Sequence, residues 1–260
     1  MTTLGIIGGT GQLGSAMATA WLETLTIKPH NLWVSNRSGT LGPLMRWEQV
    51  RATPDAQAMV SECDVVLLAI PPAEVGNLKI ATGDRLVISV MAGVTLDRLA
   101  EVTRGTKVVR AMSSPAAAQR LAYSPWTARD LPVEDATLVT KLLAACGLSD
   151  RVANEDMIDR FTAITGPVPG FVAAFADAVI EHTTRAGIPN DIAMRAVRQL
   201  FLASGTVMSL EDTPPRAFVD EMIAYDGTTA AGLRELDAGP LKTAVHAGLD
   251  AAYQKAKTIG

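Results

Sequence analysis

The sequence predicts an α/β fold, with a parallel sheet flanked by helices over residues 1–153 and an all-helical domain over residues 154–260. Three observations lead there. Short apolar runs alternate with amphipathic segments through the first half, as strands joined by crossover helices do. After about Glu155 the strand signals stop and helical periodicities take over. Between the first apolar run and the first helix lies a glycine-rich turn, Gly8-Gly9-Thr10-Gly11-Gln12-Leu13-Gly14.

Taken in order, Leu4–Ile7 is the first strand, and a helix begins near Gln12 and continues through Ala16–Thr24. Leu32–Ser35 follows as a strand and Pro54–Ser61 as a helix. Val65–Ile70 is apolar throughout, as suits a central strand covered on both faces. Arg85–Val90 and Lys107–Ala111 complete the strands, with helices at Leu96–Val102 and Glu134–Cys146. In the second half, Phe171–Ala186, Asp191–Met208, Pro214–Ile223, Thr229–Glu235 and Leu241–Lys257 read as helices, broken at Gly187-Ile188-Pro189, Thr213-Pro214-Pro215 and Gly239-Pro240. The first two are apolar around much of their circumference, which requires burial on more than one side. In so small a domain the second side is another subunit, so a homodimer through the C-terminal helices is expected; whether dimers assemble further stays open.

At 260 residues, 48% apolar and 19% charged, the chain can bury a sizeable core. A net charge of −4 counts against nucleic acid as a partner. Neither a membrane-length apolar run nor a basic leader stands out, so the expectation is a cytoplasmic protein with no membrane partner. Cys63 and Cys146 have no paired spacing and read as reduced, buried thiols. His30, His182 and His246 are far apart, and no metal site is expected.

The glycine turn carries the first chemistry. Gly9-x-Gly11-x-x-Gly14, placed between strand and helix, is the dinucleotide fingerprint of a Rossmann-type domain. Glycines let the backbone approach a pyrophosphate, and the helix N-terminus faces it with free N–H groups and a positive dipole end. Gly9, Thr10, Gly11, Gln12 and Leu13 are therefore candidate cofactor residues. At the end of the second strand, where NAD enzymes place an acid on the ribose 2′-hydroxyl, this chain has Ser35-Asn36-Arg37-Ser38. A guanidinium among hydroxyl and amide donors suits a 2′-phosphate, which favours NADP(H). The competing reading of Arg37 is a solvated loop residue.

With those stations in place, the chain resembles the pyrroline-5-carboxylate reductase family nearly end to end. The similarity is carried by the glycine turn, Ser35-Asn36-Arg37, Leu68-Ala69-Ile70-Pro71, Ile88-Ser89-Val90-Met91-Ala92-Gly93-Val94-Thr95 and Val109-Arg110-Ala111-Met112. It continues through Thr162-Ala163-Ile164-Thr165-Gly166-Pro167-Val168-Pro169-Gly170-Phe171 and Asp220 to Thr229. The resemblance implies an NADPH-binding domain, a helical dimerisation domain, and reduction of a cyclic imine to proline by hydride transfer. Ala69, Pro71, Met91, Ala92 and Gly93, at the carboxyl ends of strands, are then expected beside the nicotinamide and its ribose. Thr165, Gly166, Pro167, Val168, Gly227, Thr228 and Thr229 are expected to line the substrate. Thr229 matches the family threonine beside the imine nitrogen; its other reading is a helix N-cap.

The chain departs from the family pattern at the substrate. Ser113-Ser114-Pro115 stands for Pro-Asn-Thr-Pro, Thr165-Gly166-Pro167-Val168-Pro169 for Ser-Gly-Ser-Gly-Pro, and Ile223-Ala224-Tyr225-Asp226 precedes Gly227-Thr228-Thr229 where the family reads Thr-Ser-Pro-Gly-Gly-Thr-Thr. Asp226 reads either as a new pocket acid or as a solvated turn residue. A reductase of a different imine and a non-catalytic NADPH-binding regulatory dimer are therefore the alternatives, together with a deazaflavin (F420):NADP oxidoreductase, whose glycine turn is similar. Short-chain dehydrogenases need Tyr-x-x-x-Lys, and that class is set aside on the reading that Tyr123, Tyr225 and Tyr253 lack the lysine. β-Hydroxyacid dehydrogenases use a helix lysine, and none lies between Lys141 and Lys242.

Overall fold

A computed structural model of the chain describes residues 2–166 and 170–259. The chain divides into two compact units, Met1–Val168 with Asp250–Gly260, and Pro169–Leu249. The sequence-based division at 153/154 differs because the segment after it packs onto the first unit.

The first unit runs β1 (Leu4–Ile7), α1 (Gln12–Glu23), β2 (Leu32–Ser35), β3 (Arg51–Thr53), α2 (Ala56–Glu62) and β4 (Val65–Leu68). Then come β5 (Gly83–Ser89), α3 (Leu96–Thr103), β6 (Gly105–Ala111), β7 (Ala122–Tyr123), β8 (Trp126–Thr127), α4 (Val133–Ala144), β9 (Gly147–Leu148) and α5 (Glu155–Thr165). Seven strands form one sheet in the order β3-β2-β1-β4-β5-β6-β8. The pairs from β3 to β6 are parallel, and β8 closes the edge antiparallel to β6. The β1 strand has β2 on one side and β4 on the other, so the strand order reverses there and opens a crevice at the carboxyl ends.

Both faces of the sheet are dry. Side chains alternate along each strand, so Leu4, Ile6, Val65, Leu67, Leu86 and Ile88 enter one core with α1 and α4, where Trp21 donates its Nε1–H to the Leu142 carbonyl at 2.6 Å. Val66, Leu68 and Val87 enter the other with Met59 and Val60 of α2 and Leu99 of α3. Cys63 and Cys146 are buried and unpaired, and burial pushes each thiol up to about 12.

Five elements escape the sequence reading, the short strands β3, β7, β8 and β9 and the helix α5. The three-residue edge strand β3 has no apolar run to announce it. The α5 helix is charged in its first turn and buries only Ile158, Asp159 and Ala163; its signal was the cap, since Asn154 Oδ1 accepts from Met157 N at 3.1 Å.

The second unit contains α6 (Gly170–Arg185), α7 (Asn190–Leu210), α8 (Pro215–Tyr225), α9 (Thr228–Ala238) and the start of α10 (Leu241–Thr258), whose residues from Asp250 belong to the first unit. Phe175 of α6 meets Phe201 of α7 edge-on at 6.0 Å, and Arg216 of α8 pairs with Asp237 of α9 at 2.8 Å. Few side chains are buried here (Ala193, Val197 and Ala230), while Phe171, Val172, Phe175, Leu200 and Leu202 remain exposed. The 18-residue window in 155–185 reaches a mean hydropathy of 1.6, within the range of a membrane-crossing helix, but a helix face covered by another subunit has the same composition.

Candidate functional site

The glycine turn sits at the sheet's reversal point. Gly8 has φ +84 and donates its N–H to the Ser35 carbonyl at 2.9 Å, while Gly11 N donates to Gly8 O at 3.0 Å. A Cβ on Gly9 would stand 2.6 Å from Val34 Cγ1, and one on Gly14 would stand 2.5 Å from Gly8 O. The turn is therefore packed as tightly against β2 and α1 as backbone allows. Gly11 is the N-cap of α1 and no side chain caps this helix, whereas Asp55 caps α2, Thr95 caps α3 and Asn154 caps α5. The first N–H groups of α1 have no intrahelical acceptor, and Gly11 and Gln12 are exposed. These residues fit a pyrophosphate: a cradle with no room for a Cβ and an uncapped, positive helix end. Thr10 packs beside Gly42, and Leu13 turns its side chain onto the core, so Leu13 offers main chain only.

We expect Gly14→Ala to weaken NADPH binding at least tenfold and to destabilise the fold by about 1–3 kcal/mol, because the clash is with backbone. Fluorescence titration and thermal unfolding check this, and unchanged binding would mean the turn is not the phosphate cradle.

From the turn a cleft of about 490 Å³ opens along Ile7, Gly8, Ser35, Asn36, Arg37, Pro54, Ile70, Glu74 and Asn77.

The four residues expected as phosphate donors turn out unequal. Ser35 is buried, and its carbonyl holds the Gly8 N–H. Asn36 is spent on its own loop: its Oδ1 accepts from Ser38 N at 3.1 Å and Ser38 Oγ at 2.8 Å, and its Nδ2 donates to Thr40 O at 2.7 Å. Arg37 is 87% exposed at the side chain and pairs across the cleft with Glu74 at 2.8 Å. Ser38 Oγ also meets Thr40 Oγ1 at 2.8 Å, which brings Thr40 to the site. Thr40 and Glu74 were missed because each depends on a loop folding back, which no local pattern reports.

On the other side of the reversal point, Ala69 donates its N–H to Ile7 O at 2.9 Å, and Pro71 is exposed at the head of a short 3-10 turn over Pro72–Asn77. The Met91 side chain is buried in the core and its N–H meets Ser89 Oγ at 3.2 Å, so Met91, Ala92 and Gly93 (φ +73) present mainly backbone.

Of the residues expected at the substrate, Thr165 donates its hydroxyl to Phe161 O at 3.0 Å, inside its own helix. A Cβ on Gly166 would lie 2.6 Å from Met112 Cε, so the end of α5 rests on the residue that follows β6. Pro167 and Val168 lie outside the described residues. In the second unit, Gly227 is the N-cap of α9 and the helix starts at Thr228, one residue earlier than expected. Thr229 is thus not the N-cap, and neither threonine caps the helix; both are exposed. Asp226 takes the turn role: it is the left-handed C-cap of α8 (φ +58), and it accepts from Arg234 Nη2 at 2.7 Å.

A buried charge cluster completes the first unit. Arg110 on β6, 1% exposed, meets Glu155 at 3.3 Å and bonds Asp159 of α5, while Glu155 also accepts from Leu96 N at 2.8 Å. One Tyr-x-x-x-Lys spacing is present after all, Tyr253 to Lys257. Tyr253 bonds Asp156 through its hydroxyl, with Arg160 and Lys257 over its ring, so it fastens α10 to α5.

Known proteins agree with this organisation. The family model described as NADP oxidoreductase, coenzyme F420-dependent, matches residues 3–93, and the one described as pyrroline-5-carboxylate reductase dimerisation matches residues 155–259. Pyrroline-5-carboxylate reductase 3 of Xenopus laevis is 29% identical over 97% of this chain and 94% of its own length. The crystal structure of 1-pyrroline-5-carboxylate reductase from Streptococcus pyogenes is 28% identical, with TM-score 0.80, over 99% of this chain and 98% of that one. The NADP-bound structure from Plasmodium falciparum (24% identical, TM-score 0.83) covers 100% of this chain and 98% of its own, and shares the fold.

Proposed function

We propose that this chain is a member of the pyrroline-5-carboxylate reductase family, which it resembles along its whole length, and that it reduces 1-pyrroline-5-carboxylate to proline with NADPH. The observation that carries the reading is the coupling of an intact dinucleotide turn to similarity along the whole chain, 97% of it matched to a named reductase. When bound, NADPH supplies a hydride to the imine carbon; the C=N double bond becomes C–N, the nitrogen takes a proton, and NADP⁺ leaves.

The chain's own residues have the remaining work. Backbone N–H groups of Gly9, Thr10, Gln12 and Leu13 hold the pyrophosphate, with Gly11 leaving room for it while its own N–H closes the turn, and Arg37 with Ser38 takes the 2′-phosphate. The backbones of Ala69, Pro71, Met91, Ala92 and Gly93 frame the nicotinamide end. Gly227, Thr228 and Thr229, at the uncapped start of α9, offer N–H and hydroxyl donors to the substrate carboxylate, with Thr229 beside the imine nitrogen. Thr165 and Gly166 are further candidates for contact with the substrate, as are Pro167 and Val168, which lie outside the described residues. With Asp226 bound to Arg234, its charge is offset and does not exclude a carboxylated substrate.

The protein works as a homodimer, because the apolar faces of α6 and α7 are otherwise left in water. Its two buried, unpaired thiols suit the reducing cytoplasm. The test is loss of NADPH absorbance with pyrroline-5-carboxylate, beside carboxylated and uncarboxylated cyclic imines. Turnover on pyrroline-5-carboxylate is expected. Activity confined to other imines would replace the substrate, and tight NADPH binding without turnover would leave a regulatory dimer.

A further inference from the structure

We propose that Glu74 sets how strongly this chain prefers phosphorylated over unphosphorylated dinucleotides, by competing with the cofactor's 2′-phosphate for the Arg37 guanidinium. The inference rests on Arg37 as the 2′-phosphate ligand. Arg37 and Glu74 stand across one cleft, 2.8 Å apart, and Glu74 is the only ion-pair partner of Arg37 among the described residues.

The carboxylate is there because the backbone puts it there. The segment after β4 enters Pro71-Pro72, whose fixed φ angles leave little freedom, and Glu74 N donates to Pro71 O at 2.9 Å. Glu74 can swing its side chain but cannot withdraw its backbone from the cleft. An incoming 2′-phosphate carries more than one negative charge and takes a guanidinium through paired hydrogen bonds. It must displace Glu74 and then sit near it. The 2′-hydroxyl of NADH is neutral and donates a hydrogen bond, so the same carboxylate can accept it. The cleft thus holds a grip for each nucleotide, and each grip weakens the other.

The experiment measures affinities of NADPH, NADH, 2′,5′-ADP and 5′-AMP for the wild type, Glu74→Gln, Glu74→Ala and Arg37→Ala. Both Glu74 variants should bind NADPH and 2′,5′-ADP about fivefold more tightly, the scale of one exposed ion pair, and NADH and 5′-AMP no more tightly. No change, or an equal change for both nucleotide classes, overturns the role of Glu74. Arg37→Ala reports separately: equal loss for both classes would defeat the 2′-phosphate assignment itself, whatever the Glu74 variants do.

Discussion

Arg37→Glu should lower NADPH affinity by about a hundredfold while changing NADH affinity less than about threefold. The size follows from what remains around the ribose. Ser35 is buried and Asn36 is committed to Ser38 and Thr40, so among the described residues Arg37 is the cation at the end of β2, held there only by Glu74. Removing it leaves the hydroxyls of Ser38 and Thr40 as donors. Reversing its charge also puts a second carboxylate opposite Glu74, and a 2′-phosphate then meets two negative groups and no positive one. NADH, with a hydroxyl at that position, meets no such repulsion. Steady-state kcat/KM for the two cofactors, backed by equilibrium titration, gives the ratio. Equal losses would show that Arg37 is only a solvated loop residue.

The same loop shows where sequence reasoning stops. The glycine turn was legible because its constraint is local: positive φ at Gly8 and the close approach of Gly9 to Val34 and of Gly14 to Gly8 restrict residue type directly. The central strands were legible because both faces are buried, which leaves a continuous apolar run such as Val65–Leu68. Ser35, Asn36, Arg37 and Ser38 looked alike in sequence, yet hydrogen bonds within the loop separate them. Glu74 lies 37 positions beyond Arg37 in the chain, and the opposition of the two exists only once β2 and β4 flank β1. Asp226 was ambiguous for the same reason, since Arg234 lies two turns along the next helix. The cap reading of Thr229 failed because the helix starts one residue earlier, at Thr228, and Gly227 is its N-cap.

Asp159→Ala should cost about 3 kcal/mol of stability and lower the melting temperature by about 10 °C. Arg110 is almost fully enclosed, and its guanidinium cannot shed its charge on losing a partner. Glu155 would remain at 3.3 Å, but it is already shared with Leu96 N, and Arg110 Nε has no acceptor even in the intact protein. The substitution therefore leaves a buried cation half-satisfied, which is worse than removing the pair. Arg110→Met combined with Asp159→Leu should recover much of the loss, because neither charge then needs solvation. The effect should reach the substrate region as well. Arg110 lies two residues before Met112, on which Gly166 rests, so the pair fixes where α5 delivers Thr165 and Gly166. A purely structural role predicts lower stability with KM unchanged at temperatures well below unfolding. A positioning role predicts a raised KM for the imine there, with KM for NADPH unchanged, and restoration of both stability and KM in Asp159→Glu.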